Sequence, residues 1–161
     1  MKREGFIRNL VFGVEDSLVS TVGFISGVAA ASVERSTLLL SGIVLVCVEA
    51  FSMGIGSVLS EESAQETKTK KHVQWGGALA GGLVMFISYS IAGALVLAPY
   101  LIHDVARALP ESVAISLALL FLLGAVSAKL SGLPMLLRSL RMMLFGGLAI
   151  VLGIVVGRAM P

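Results

Sequence analysis

The chain has 161 residues, 57% of them hydrophobic and 14% charged, with a mean hydropathy of +0.96. A soluble domain sits near half apolar and one quarter charged, so these values exclude a water-soluble enzyme domain; they also exclude a disordered chain, which needs low hydrophobicity. A net charge of +2, with no single basic stripe, argues against a DNA-binding surface, and the lone cysteine, Cys47, leaves neither an intrachain disulfide nor a cysteine cluster for zinc.

What remains is an all-α membrane protein, a single transmembrane domain over residues 1–161. About 20 mostly apolar residues are needed per crossing. Five stretches qualify, at about Leu10–Ala31, Thr37–Leu59, Gly76–Leu97, Ser112–Ala128 and Leu136–Val156. The third is expected to end before Pro99. The connections are short: Ser32–Ser36, the polar run Ser60–Gln74, Pro99–Glu111 and Ser131–Pro134. None has room for a soluble domain.

Orientation follows from lysine and arginine. With the N-terminus in the cytoplasm and the C-terminus outside, Lys2, Arg3, Arg8, Lys68, Lys70, Lys71, Lys129, Arg138 and Arg141 fall on the cytoplasmic side. That is nine of the twelve basic residues, leaving Arg35, Arg107 and Arg158 outside. The beginning of the chain resembles a signal peptide in its Lys2–Arg3 start and its Ala29–Ala31 stretch. Its apolar run is too long for one, and Glu15 and Asp16 interrupt it. Trp75 and Tyr100 read as interfacial anchors. Cys47 reads as buried filler, and Lys129, Arg138 and Arg141 as topology determinants. Gly23/Gly27, Gly77/Gly81 and Gly153/Gly157 have the spacing that lets helices approach closely; each serves packing within one subunit or, for one pair, a dimer interface.

Three carboxylates fall inside the spans: Glu15, Asp16 and Glu49. An ionised acid at the bilayer centre costs about 2.5–3.5 kcal/mol on insertion scales, so such a group faces the bundle interior, finds a partner or is protonated. Asp16, Ser20, Gly23 and Gly27 share one helix face. Glu49, Met53, Gly56 and Ser60 repeat that spacing on the second helix, stacking a carboxylate, a thioether and a hydroxyl. Facing stripes of this kind suit first-row transition-metal dications; magnesium and calcium do not want the sulfur. The competing reading places Asp16 and Glu49 at the interface, within reach of water, and Met53 in the core as filler. Glu15 points about 100° away from Asp16 around the helix. If the second helix continues, Glu62 and Glu66 form an i, i+4 pair that could collect cations at the cytoplasmic mouth, or else a solvated helix end balanced by Lys68, Lys70 and Lys71. His72 and His103 stand alone. No nucleophile-and-base set and no phosphate-binding glycine loop is visible, so no enzyme is expected, and no resident cofactor.

The first helix, Leu10-Val-Phe-Gly-Val-Glu-Asp-Ser-Leu-Val-Ser-Thr-Val-Gly-Phe-Ile-Ser-Gly-Val-Ala-Ala-Ala31, resembles the opening signature of the vacuolar iron transporter (VIT/CCC) family. Ser52–Met53–Gly54–Ile55–Gly56 through Ser60–Glu61 is similar to that family's second signature. Ser88-Tyr-Ser-Ile-Ala-Gly-Ala-Leu-Val-Leu-Ala-Pro-Tyr100 resembles its third-helix end, and Arg141–Arg158 its last helix. The resemblance implies a five-helix homodimer that moves ferrous iron, and often manganese, out of the cytoplasm by proton antiport. By that likeness Asp16 and Met53 match metal-path residues; Glu49 is read from its own position. The chain departs from the family in carrying Ser57 where a glutamate commonly follows the second-helix glycine. It also carries only Ser60–Gln74 where members have a cytoplasmic metal-binding insertion. Glu49, Glu61, Glu62 and Glu66 are candidates to replace part of what that insertion supplies. The expectation is a transporter of Fe²⁺ or Mn²⁺ in a prokaryotic cell membrane, with protons as the counter-substrate. The alternatives are a non-transporting metal-sensing or scaffold protein of the same fold, and a passive cation channel.

Overall fold

The computed structural model describes residues 3–70 and 75–159. Lys2, Lys71, His72 and Gln74, all weighed above, lie outside the described residues. Five helices follow in order: α1 Arg3–Ala30, α2 Arg35–Thr69, α3 Trp75–Ile102, α4 Val105–Ser131 and α5 Met135–Ala159. All five are long and apolar enough to cross a membrane, and there is no strand among the described residues.

The helices overrun the expected spans, and each excess has a physical cause. α2 has 35 residues, which at 1.5 Å per residue is about 52 Å, against a hydrocarbon core of about 30 Å. Its last turns, expected as a loop, continue as helix because the run from Ser60 to Thr69 is rich in Glu, Ala, Gln and Lys, which are good helix formers. Gln65 also donates to Glu61 Oε1 at 2.7 Å, one turn apart. The helix stops only where Lys70 turns left-handed, at φ 56°, and its N–H reaches back to the Glu66 carbonyl at 2.8 Å. Likewise α3 does not end before Pro99 but runs through it to Ile102. A proline this close to the end of a helix costs only one backbone hydrogen bond. α4 begins at Val105 rather than at Ser112, leaving His103–Asp104 as the connection. The Asp104 carbonyl accepts from Arg107 N at 3.2 Å and Ala108 N at 2.9 Å, starting the helix.

Two side chains sit elsewhere than expected. Tyr100 is fully buried rather than an interfacial anchor; its ring packs with Ile25, Leu38, Val46 and Ala108. The group that ties down this end is Arg35, which donates through Nε to the Tyr100 carbonyl and through a terminal nitrogen to the Leu101 carbonyl, both at 2.7 Å. These are orphan acceptors at a helix C-terminus, where a cation also suits the dipole. Cys47 is exposed on the outer face of α2 rather than buried. Trp75 opens α3 with its ring exposed.

α1 is the central helix. It packs along α5 on one flank and α3 on the other, and also touches α4 and α2; α2 lies on α3 and touches α1 over a smaller area. The outer surface is apolar: Leu40, Val48 and Phe51 of α2 and Leu144, Leu148 and Leu152 of α5 are all exposed. The interior combines apolar clusters around Leu18, Val96 and Leu120 and around Ile25, Leu38 and Tyr100 with buried hydroxyls. Ser17, Ser112 and Ser116 are wholly buried and donate to the carbonyls of Tyr89 (2.8 Å), Val96 (2.7 Å) and Ser112 (2.8 Å). An apolar outer face with hydroxyls bonded between helices inside is the pattern of helices packed in lipid, where backbone proximity and interhelical bonds replace a hydrophobic driving force.

Glycines set the closest approach. α1 and α5 run parallel with Gly23 against Ala149 and with Gly27 between Gly153 and Gly157. Two of the three small-residue pairs are therefore spent inside the subunit. A Cβ at Gly153 or Gly157 meets the backbone carbonyl of Gly23 or Gly27, which cannot yield as a side chain can. Gly153→Ala is therefore expected to destabilise the purified protein by roughly 1–3 kcal/mol, the usual range for overpacking. Gly147→Ala, with nothing within 4 Å of the added carbon, is expected to hold or raise the thermal midpoint in the same melt.

Candidate metal path between α1 and α2

Every fourth residue of α2 from Leu45 to Glu61 (Leu45, Glu49, Met53, Ser57, Glu61) is half-buried, next to the fully buried row Gly42, Val46, Ala50 and Gly54 that seats α2 on α3. This ridge faces α1. Asn9 Nδ2 donates to Ser57 Oγ at 3.0 Å, and Arg8 pairs with Glu61 at 3.3 Å. Deeper along the same antiparallel seam, Asp16 and Glu49 lie within electrostatic reach of each other. Met53 occupies the turn between Glu49 and Ser57. The separately expected acids of the two helices thus face each other across the seam, Asp16 from α1 and Glu49 from α2, with Met53 one turn along α2 from Glu49. Gly56 and Ser60, assigned to the α2 stripe, are exposed and fall off the ridge.

A third helix completes the inner end. Tyr89 of α3 is fully buried, and its hydroxyl lies 2.7 Å from Ser20 Oγ. Both Asp16 and Glu49 act electrostatically on that phenol. Ser17, one turn from Ser20, holds the Tyr89 carbonyl, so the tyrosine is fixed to α1 at backbone and hydroxyl together. Sequence reasoning assigned Tyr89 no role. The available signal was the polar triplet Ser88–Tyr89–Ser90 in the middle of an apolar span.

Toward the N-terminal end of α1 the seam opens into a cavity of about 780 Å³, lined by Glu4, Arg8, Asn9, Glu61, Gln65 and Lys68 and floored by Gly77 and Gly81 of α3. Two acids and two bases balance there. The third small-residue pair thus borders this cavity. Glu62 and Glu66 do form an i, i+4 pair on the continued helix, both half-buried, but neither lines the cavity; Glu61 does. From Glu61 down to Glu49 is twelve residues, about 18 Å of helix rise.

Glu15 belongs to the other flank. It lines a separate cavity against Arg138 and Arg141 of α5, and both Arg138 and Asp16 act on it electrostatically. Among the described residues no three His, Cys, Asp or Glu side chains come together as a metal cluster. One chain therefore offers two carboxylates and one thioether at the seam. His103 pairs with Glu111 at 2.7 Å at the opposite end of the bundle.

The chain is similar to known proteins along nearly its whole length. An uncharacterized protein of Methanocaldococcus jannaschii is 25% identical over 167 aligned positions, covering 92% of this chain and 86% of the relative. The family model described as VIT family matches residues 7–75 and 70–158, so its match takes in both acid-bearing helices and the tyrosine helix packed on them. With five apolar helices and a match along nearly its whole length, the chain belongs to the VIT family of membrane metal-ion transporters.

Proposed function

We propose that the protein carries Fe²⁺ or Mn²⁺ out of the cytoplasm in exchange for protons, along the seam between α1 and α2. The observation that supports this best is the convergence of Asp16 and Glu49, from different helices, beside Met53. Two carboxylates close together in a membrane interior cannot both stay charged without compensation. Either protons or a dication can supply it. A metal that binds both oxygens displaces their protons, and protons arriving from the other side release the metal. Met53 adds a soft sulfur donor that favours first-row transition metals over magnesium and calcium.

Two carboxylates and a thioether fall short of the donors that such an ion takes. A homodimer in which two seams meet supplies four carboxylates and two thioethers, which is why we read the transporter as a dimer. Loading from the cytoplasm, without a metal-binding insertion, runs through the cavity at the seam's mouth. There Glu4 and Glu61 meet the ion, and Glu62 and Glu66 add negative potential nearby. This reading places the N-terminus in the cytoplasm of a prokaryotic cell.

The test is metal uptake into proteoliposomes with an acidic lumen. Asp16→Asn and Glu49→Gln are each expected to cut proton-driven Mn²⁺ uptake roughly ten-fold or more, since each removes a charge that the dication must meet. Transport by Asp16→Asn at the wild-type rate would falsify the mechanism. Metal binding with no coupled flux makes the protein a metal-sensing or scaffold member of the fold, and flux indifferent to the pH gradient makes it a channel.

Met53→Leu keeps the volume and loses the sulfur. It is expected to retain Mn²⁺ transport while losing roughly ten-fold in preference for Fe²⁺ over Ca²⁺, measured by competition. Unchanged competition removes Met53 from the metal's coordination.

A further inference from the structure

The cavity between α1 and α5 has no part in the metal path, yet it is built. Its volume is about 490 Å³, and Arg138 and Arg141 point into it from one face of α5. The two guanidinium groups make no hydrogen bond or ion pair with any described residue. Glu15 faces them from α1, with Pro134, Leu137 and Phe145 forming the apolar wall. We propose that this cavity binds the headgroup of an anionic membrane phospholipid, a phosphodiester such as that of phosphatidylglycerol.

Three features choose this occupant. Arginine presents a planar fork of donors suited to phosphate oxygens, and both forks here are unspent. Leu137 is 57% and Phe145 54% exposed, and they continue into Leu144, Leu148 and Leu152 of the outer face of α5. An acyl chain therefore has an apolar track leading away from the charged end, which a free metabolite would not need. Finally, two arginines and Glu15 sum to one net positive charge. That matches a singly charged phosphodiester better than a doubly charged phosphomonoester, and the Glu15 carboxylate can accept from glycerol hydroxyls. Arg138 and Arg141 lie in the first two turns of α5, the level at which basic pockets between membrane helices hold headgroups.

Native mass spectrometry of the full-length protein, delipidated and then given defined lipids, tests this. Wild-type protein is expected to keep phosphatidylglycerol at collision energies that strip phosphatidylcholine. An Arg138→Gln/Arg141→Gln double variant should lose roughly thirty-fold in phosphatidylglycerol affinity, as expected for two arginines near a membrane surface. Arg158→Gln, at the far end of α5, serves as the unchanged control. Glu15→Gln should shift preference towards phosphatidic acid, and this result decides the matter if the double variant does not fold. Equal retention of the two lipids, an unaffected double variant or an unshifted Glu15→Gln overturns the proposal. Retention of free glycerol phosphate as strong as that of the lipid overturns the lipid as the source of the phosphate. Metal transport is not read in any arm, so failure here leaves the metal path untouched.

Discussion

The structure depends on what a low-dielectric interior does to a pair of carboxyl groups. Asp16 and Glu49 are close enough to feel each other's charge, and an apolar bundle does not tolerate two bare negative charges. The surroundings could have answered with a fixed arginine. Arg8 and Arg138 are both on the right half of the bundle, yet Arg8 is paired with Glu61 at the mouth and Arg138 faces Glu15 on the far side of α1. The inner pair is left to a mobile compensating charge. A built-in counter-ion would make a stable core; none stands beside these two acids among the described residues, and the proposed exchange of protons for a dication rests on that.

Holding such a pair in register takes rigid neighbours, and the packing supplies them unevenly. α1 is clamped to α5 by glycine against backbone and pinned to α3 by Ser17 and Ser20 on the two ends of Tyr89. Against α2 it makes a narrower contact, joined by Asn9–Ser57 and Arg8–Glu61. Close small-residue approaches hold α1 to α5 at Gly23 and Gly27, α1 to α3 at Gly13, and α2 to α3 at Gly54 and Gly82, while Asp16 and Glu49 lie on the narrower α1–α2 contact.

Much of this is legible in the sequence. Hydropathy alone places five helices, because each crossing needs a long apolar run whatever its tertiary partners. The Asp16 and Glu49 stripes are legible because an acid in such a run has few reasons to be there. The ends are not legible in the same way. Pro99 looks like a terminator until backbone satisfaction near the membrane carries the helix through it, and the polar Ser60–Thr69 run looks like a loop although its Glu, Ala, Gln and Lys residues favour helix. Side-chain destinations depend on neighbours too. Tyr100 has the profile of an interfacial anchor until Ile25 and Ala108 close over it, and Cys47 looks like filler until the α2–α3 contact is seen to fall on the neighbouring row. Tyr89 is weakly marked for a further reason: the polar triplet around it in α3 is the sole local sign, and its importance comes from α1 and α2.

The adjacency of Glu15 and Asp16 carries the last step. Two neighbouring acids look like one site in a linear sequence. A helix turns about 100° per residue, and that angle sends Asp16 to the α2 seam and Glu15 to the arginines of α5. One helix therefore separates two charge environments, one lacking a cation and the other holding two. If both acids faced the same way, Arg138 and Arg141 would neutralise Asp16 and leave no need for a dication. The central position of α1 holds the arginines of α5 on the side away from the seam, where they do not quench it.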